Sequence, residues 1–348
     1  MPRAKPYIIY HHACTDGFGA AYAAWKKFDC FAEYYSAAYG QEAPNVEGKD
    51  VYLVDFSYDR KTVLRMVEQA NSVTILDHHK SAEDVLKPLL EQKVISGVFD
   101  MDKSGAVLTW EHFHPEVRIP KLLKHIQDRD LWLFDMPGTK EVLVSLNSLP
   151  MDFDVWDKLV VADLRREGVS ILRHHMKQVE AVLDSVFKLK VGDYEVPCVN
   201  CPPYMASDVG HILSKGCSFS SSWHYDGNSG LVKFSLRSDE KGADVAQIAE
   251  IYGGGGHKHA AGFTIDGLGQ RPLGLIYNPK EKKKKVHQPK KVGSFNRKKE
   301  KVATSTPIPV QPPLDPNAPI PSQRTLLRTT NVPRSRRVVV KAATKKKD

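Results

Sequence analysis

Asp77, His78 and His79 stand side by side at the end of a short apolar run, in the stretch TILDHHKSAED (74–84). A carboxylate and two imidazoles cannot be buried as ordinary packing, because each costs free energy when it lacks a partner. Either the trio faces solvent or it holds something. Similar groups close other apolar runs: HHACTDG after YIIY supplies His11, His12 and Asp16, and VYLVDF carries Asp55 near its end. Asp128 and Asp130 lie together in KLLKHIQDRDLW (121–132). Carboxylates mixed with imidazoles, without paired cysteine ligands, suit a hard or borderline divalent ion such as Mn2+ or Mg2+ better than structural zinc. His11 or His12 with Asp16, Asp55, His78 and Asp130 gives more ligands than one ion with open positions needs, so two ions are expected. Of the two imidazoles, His11 is preferred because it directly follows the apolar run. Two ions about 3.5 to 4 Å apart can share a carboxylate, lower the pKa of a bridging water and clamp a phosphoryl group for in-line displacement. That chemistry is phosphoester or phosphoanhydride hydrolysis.

These residues need elements that bring them to one place. YIIY leads into the Ala-rich helical pattern GFGAAYAAWKKF, and the unit recurs: VYLVDF precedes RKTVLRMVEQA, SVTIL precedes AEDVLKPLLEQ, and VISGVF precedes GAVLTWEHF. Alternating strands and helices predict an α/β fold with a doubly wound parallel sheet. Ligands of such sheets bind outside the carboxyl ends of the strands, where Asp16, Asp55 and His78 all fall. REGVSILRHHMKQVEAVLDSVFKL (166–189) reads as a linker helix, and a smaller α/β domain is expected over 190–268. Near its end, DVAQIAEIYGGGGHKHAAGF runs a helical pattern into four glycines. Glycine permits close backbone approach, which suits amides gathered around an anion.

The 348-residue chain is 41% hydrophobic, enough for two domains with real cores. Five scattered cysteines and an opening MPRAKPYIIY without a signal-peptide pattern predict a cytoplasmic protein, and no apolar run approaches the roughly 20 residues of a membrane span. The net charge of +9 is unevenly spread: residues 271–348 carry 21 Lys and Arg against 4 Asp and Glu, leaving the first 270 at −8. That tail also holds 11 of the 22 prolines and predicts a disordered Lys/Pro-rich segment over 269–348. Such a segment is often only solvated; its functional reading is salt-dependent contact with nucleic acid.

The chain resembles the DHH phosphoesterase superfamily with its DHH-associated C-terminal domain. LDHH with the following Lys and Ser matches the family's naming motif, and GGGGHKHAAGF looks like the glycine-rich motif of the second domain. YHHACTDGFGAA, VDFS and QDRDLW fall in the expected order, so the resemblance covers roughly residues 7–268. It implies a DHH domain (1–165), a linker helix (166–189) and a substrate-binding domain (190–268). Asp55 would bridge two metal ions, with Asp16, His78 and Asp130 as further ligands and Asp128 as the alternative to Asp130. Asp77 and His79 would orient the site or touch the scissile phosphate. Many members carry two aspartates one residue apart in the first motif, and here Cys14 takes the place of the first. Arg237 in FSLRS, the glycines Gly254, Gly255 and Gly256, and His257 would bind the substrate's phosphate or nucleotide. The implied enzyme is a Mn2+- or Mg2+-dependent hydrolase of short RNA or DNA oligonucleotides or nucleotides, compatible with a homodimer. The alternative is a binding or sensor protein of the same fold that has lost turnover.

Other features read as structural. Ser104 in SGAVLTW is expected to cap a helix, CVNC (Cys198, Cys201) lacks a second pair for zinc, His174 and His175 fall on the linker helix, Trp25 reads as core, and His259 as supporting.

Overall fold

The computed structural model describes residues 5–266. The expectations for the basic tail lie outside the described residues. The chain begins with β1 (Pro6–His11), α1 (Thr15–Phe28), β2 (Glu33–Ala37), β3 (Asp50–Val54), α2 (Arg60–Gln69), β4 (Ser72–Asp77), α3 (Lys80–Glu91), β5 (Ser96–Phe99) and α4 (Gly105–Phe113). The five strands form one parallel sheet in the order β2-β1-β3-β4-β5. The predicted units are present; β2, whose EYYSA is only half-buried at the sheet edge, carries no strong periodicity and is an addition to the sequence reading.

Alternation along the strands explains why the sheet is covered on both sides. Ile9, Leu53 and Ile75 pack with Val63 and Met66 of α2 and with Leu86 and Leu89 of α3. Their neighbours Ile8, Val54 and Leu76 point the other way, onto Ala20 and Ala24 of α1 and Leu108 and Phe113 of α4. Period-2 side chains can serve two helix layers only when both faces are apolar, as in doubly wound sheets. The strand order reverses beside β1, so the crevice at the carboxyl ends of β1 and β3 is the natural ligand site.

Helices α5 (Lys121–Asp130), α6 (Thr139–Leu146), α7 (Phe153–Trp156) and α8 (Val161–Leu183) follow. The second sheet is built from β6 (Phe187–Val191), β7 (Tyr194–Asn200), β8 (Ser220–Asp226), β9 (Leu231–Arg237), β10 (Gly255–His257) and β11 (Ala260–Asp266), with α9 (Ala206–Ser214) and α10 (Val245–Glu250). Its order is β10-β11-β9-β8-β7-β6, antiparallel except where β7 pairs β8. Cys198 and Cys201 are buried in two different core clusters, which is packing rather than metal binding. Among the described residues no helix is long and apolar enough to cross a membrane.

Leu53 is fully buried at the centre of the parallel sheet. Leu53→Ala is expected to cost about 2–5 kcal/mol, read as a lower denaturant midpoint at unchanged slope.

Candidate metal centre

Each candidate ligand leaves the end of an element. His11 closes β1, and a turn through Ala13 at φ 50° delivers Asp16 to the first turn of α1. Asp55 follows β3 with φ 53°, a left-handed conformation unusual outside glycine, while its amide still donates to Leu76 O at 2.9 Å. Asp55 thus keeps the sheet's hydrogen bonding but swings its carboxylate toward the neighbouring strand ends. His78 follows β4, and Asp130 is the last residue of α5.

The groups meet around one imidazole. His78 Nε2 lies 3.1 Å from Asp55 Oδ1, 3.5 Å from Asp130 Oδ2 and 3.7 Å from Asp16 Oδ2. His11 Nδ1 lies 3.8 Å from Asp55 Oδ2. The ligand atoms of Asp16, His78 and Asp130 fall within 4.8 Å of one another, as do those of His11, Cys14 and Asp55. Asp55 therefore stands between two adjoining donor sets. Its Oδ2 is buried without a hydrogen-bond partner among the described residues, and so is His78 Nδ1.

Crowding sets the protonation. Burial, followed by the charges of Asp55 and Asp130, holds the Asp16 carboxyl well above the usual carboxylate range. Asp130 is raised by its enclosed position first and then by Asp55, although its side chain keeps 30% exposure toward the cleft. Asp55 ends below the usual range: burial pushes it up, but the His11 and His78 imidazoles outweigh that. Burial alone would lower His78, yet the surrounding carboxylates, Asp55 foremost, carry it to about 10. Burial and the same carboxylates keep the Cys14 thiol protonated. Carboxylates crowded around an imidazole in this way fit a divalent ion, and the unpartnered Asp55 Oδ2 gives such an ion an oxygen.

Around this set lies a layer of fixed hydrogen bonds. Asp77 accepts from Ser57 Oγ (2.6 Å), from the amide of His78 (2.8 Å) and from His79 Nδ1 (2.7 Å). Asp16 accepts from the amides of Gly105 (2.6 Å) and Ala106 (3.1 Å), the first residues of α4, whose N-cap is Ser104. Gly105 is required there, since a Cβ would stand 2.4 Å from Asp55 Cβ. Sequence reading took Ser104 as a cap but missed that this helix end feeds the site, and it missed Ser57. The signal for both was position after a strand: Ser57 lies two residues after Asp55, and SGA opens the helix after β5.

The second sheet reaches the same place through β10. The His257 ring stacks on His79 with centroids 4.7 Å apart and lies 5.0 Å from His78. Burial, then the two neighbouring imidazoles, lower its pKa to about 3, so it is neutral near pH 7. Gly254 backs onto Gly262 and Phe263, Gly255 faces Ser81 of α3, and Gly256 has φ 141°. Arg237 lies on another side, where its Nη2 donates to Ser207 Oγ at 3.0 Å and burial brings it down to about 10. Its charged neighbours there are Arg129 and Asp208, and Arg129 lies over the Trp132 ring at 4.0 Å.

Two sequence candidates are placed away from the cluster. His12 is turned outward and its Nδ1 pairs with Ser36 Oγ at 2.8 Å. Asp128 spends both oxygens on the turn after α5, accepting from the amides of Asp135 (2.7 Å) and Met136 (3.2 Å) and from the Thr139 hydroxyl. Two residues apart on a helix, Asp128 and Asp130 point to different faces, and only the latter meets His78.

Among known proteins, the DHHA1 domain family matches residues 205–275. An uncharacterised protein of Acanthamoeba polyphaga mimivirus is 28% identical over 296 residues, 75% of this chain and 68% of that protein. Solved structures similar to the chain include a pGpG-specific phosphodiesterase, PggH, from Vibrio cholerae (14% identity, TM-score 0.41, covering 75% of this chain and 94% of that one). Another is an exopolyphosphatase-related protein from Bacteroides fragilis (15% identity, TM-score 0.37, covering 76% and 88%). The chain thus carries a DHHA1 domain, matched over residues 205–275, downstream of its Asp77-His78-His79 motif.

Asp55 and Asp128 separate the site from its scaffold. Asp55→Asn is expected to weaken Mn2+ binding at least about 100-fold by calorimetry, beyond the 10–100-fold typical of outer-shell partners. Asp128→Asn should leave ion affinity within about 3-fold of the unaltered protein while lowering stability by about 1–3 kcal/mol in a denaturant titration.

Proposed function

We propose that this chain is a Mn2+- or Mg2+-dependent phosphoesterase that hydrolyses phosphodiester or phosphomonoester bonds of nucleotides or short oligonucleotides at a two-ion centre. The observation that carries the reading is the convergence of His11, Asp16, Asp55, His78 and Asp130 on one crevice, with Asp55 between two donor sets. One ion position would be held by His11 and Asp55 with Cys14 beside them, the other by Asp16, His78 and Asp130. When bound, such ions polarise a phosphoryl oxygen and make water acidic enough to attack near neutral pH.

The chain's own groups do the positioning. Asp77 accepts from His79 Nδ1, which fixes the ring and leaves Nε2 for a phosphoryl oxygen. His257, stacked against that ring and neutral, closes the chamber from the second sheet and excludes water. Arg237, fixed by Ser207, would meet a further phosphate of the substrate. The +17 of residues 271–348 would add salt-dependent affinity for nucleic acid. A cytoplasmic setting belongs to this reading, resting on the sparse cysteines.

Hydrolysis of a dinucleotide, a five-residue RNA, 3′-phosphoadenosine 5′-phosphate and a cyclic dinucleotide tests it. With Mn2+, at least one is expected to turn over, with activity lost on chelation and reduced at least about 1,000-fold in Asp55→Ala. Turnover retained in that variant would overturn the assignment of the centre. Ion binding without turnover on any substrate would favour a sensor of the same fold, a reading supported by a thiol, Cys14, standing with His11 and Asp55 where a further carboxylate would serve an ion better.

A further inference from the structure

Beside the metal centre, a cavity of about 380 Å3 opens along the start of α2, lined by Tyr39, Phe56, Ser57, Tyr58, Thr62 and Arg65 among others. Ser57 and Phe56 belong to both places: Ser57 holds Asp77, and Phe56 follows Asp55 directly. The cavity therefore adjoins the crevice that holds Asp55 and Asp77.

Tyr39 stands at its mouth. A single exposed tyrosine is ordinary on a protein surface, but this one is held in place. It sits in the four-residue turn Ala38–Gln41, closed by the Gln41 amide donating to Ala38 O (3.1 Å) and by Gln41 Oε1 accepting from the Ala38 amide (3.3 Å). Gly40 at the third position has φ 85°, the conformation a type II turn requires there. The ring meets His11 edge-on at 5.3 Å and Phe56 at 4.8 Å, yet the residue stays 58% exposed. A large, partly exposed aromatic ring is thus fixed next to His11 of the donor set.

The far wall offers polar recognition. The Arg65 guanidinium has one hydrogen bond among the described residues, to Thr62 Oγ1 at 3.3 Å. Of the two carboxylates lining the cavity, Glu42 and Asp59, the latter caps α2 through the amide and hydroxyl of Thr62 and feels the Arg65 charge only at a distance beyond hydrogen bonding. Arg65 therefore keeps donors for another acceptor. An aromatic platform at the mouth and a planar donor fork beyond it suit a flat heterocycle with carbonyl or ring-nitrogen acceptors.

We propose that this cavity is the nucleobase subsite of the enzyme, with Tyr39 as the stacking platform and Arg65 reading the edge of the base. The proposal deepens the phosphoesterase reading, on which it rests for the position of the phosphate: it assigns a nucleoside rather than a base-free phosphoester to the chamber beside the metal centre. Stacking on one aromatic side chain is worth roughly 5- to 150-fold in affinity per base.

The test is equilibrium binding, which needs no turnover. Guanosine, adenosine and cytidine 5′-monophosphates and ribose 5-phosphate are titrated calorimetrically into the full chain with Mn2+, for the unaltered protein, Tyr39→Ala, Tyr39→Phe and Arg65→Gln. At least one nucleotide is expected to bind about 10-fold or more tighter than ribose 5-phosphate. Tyr39→Ala should bring it to within about 3-fold of ribose 5-phosphate, whose own Kd stays unchanged, and Tyr39→Phe should keep the advantage. Arg65→Gln should alter the ranking among the three bases. An equal loss for nucleotide and ribose phosphate in Tyr39→Ala, or a base advantage that survives it, would overturn the subsite, as would absence of any base advantage in the unaltered protein. Failure of the hydrolysis panel with this binding pattern intact would instead count against the phosphoesterase reading alone.

Discussion

The mutual repulsion of carboxylates forced into one buried crevice is the constraint on which the rest of the site depends. Asp16 and Asp130 bring oxygens within 4.8 Å of one another, and Asp55 joins them around His78. Two like charges about 4 Å apart repel by roughly 4 kcal/mol even at an effective dielectric of about 20. No chain holds such groups together without compensation. Here the His78 imidazole, its pKa held to about 10 by the surrounding carboxylates, supplies part of it, and a divalent ion would supply more.

Rigid backbone is what resists that repulsion. The parallel sheet fixes the ends of β1, β3 and β4 side by side, so His11, Asp55 and His78 cannot drift apart without breaking strand pairing. The left-handed turn at Asp55 and the α4 amides on Asp16 hold two of the carboxylates at their stations. Asp77, saturated by Ser57, the His78 amide and His79, anchors the third strand end from behind. Preorganisation of this kind is stored during folding, which is why the site draws on so many elements of the first sheet.

Much of this was legible in the sequence because strand periodicity and the polar residues after each apolar run use the same local pattern. The α/β alternation predicted the parallel sheet, and the doublets of polar residues marked its carboxyl edge. What sequence could not resolve was orientation. Asp128 and Asp130 are two residues apart in a helix, so one faces the crevice and the other the following turn; His11 and His12 diverge in the same way at a strand end. Nor does a sequence display contacts between distant helices and turns, such as Gly105 against Asp55 or Tyr39 against His11. Those depend on packing among elements, not on any one element.

Asp16 belongs to the crevice and to the end of α4 at once, and that double duty shapes how this centre can change over generations. A substitution there would disturb the scaffold together with the chemistry, so selection has little room at that residue. Cys14 is different. It stands at the N-cap of α1 without making a side-chain capping bond, and its sulfur adjoins His11 and Asp55. A residue beside the donor sets that does not cap its helix is where a change of donor atom would disturb the scaffold least.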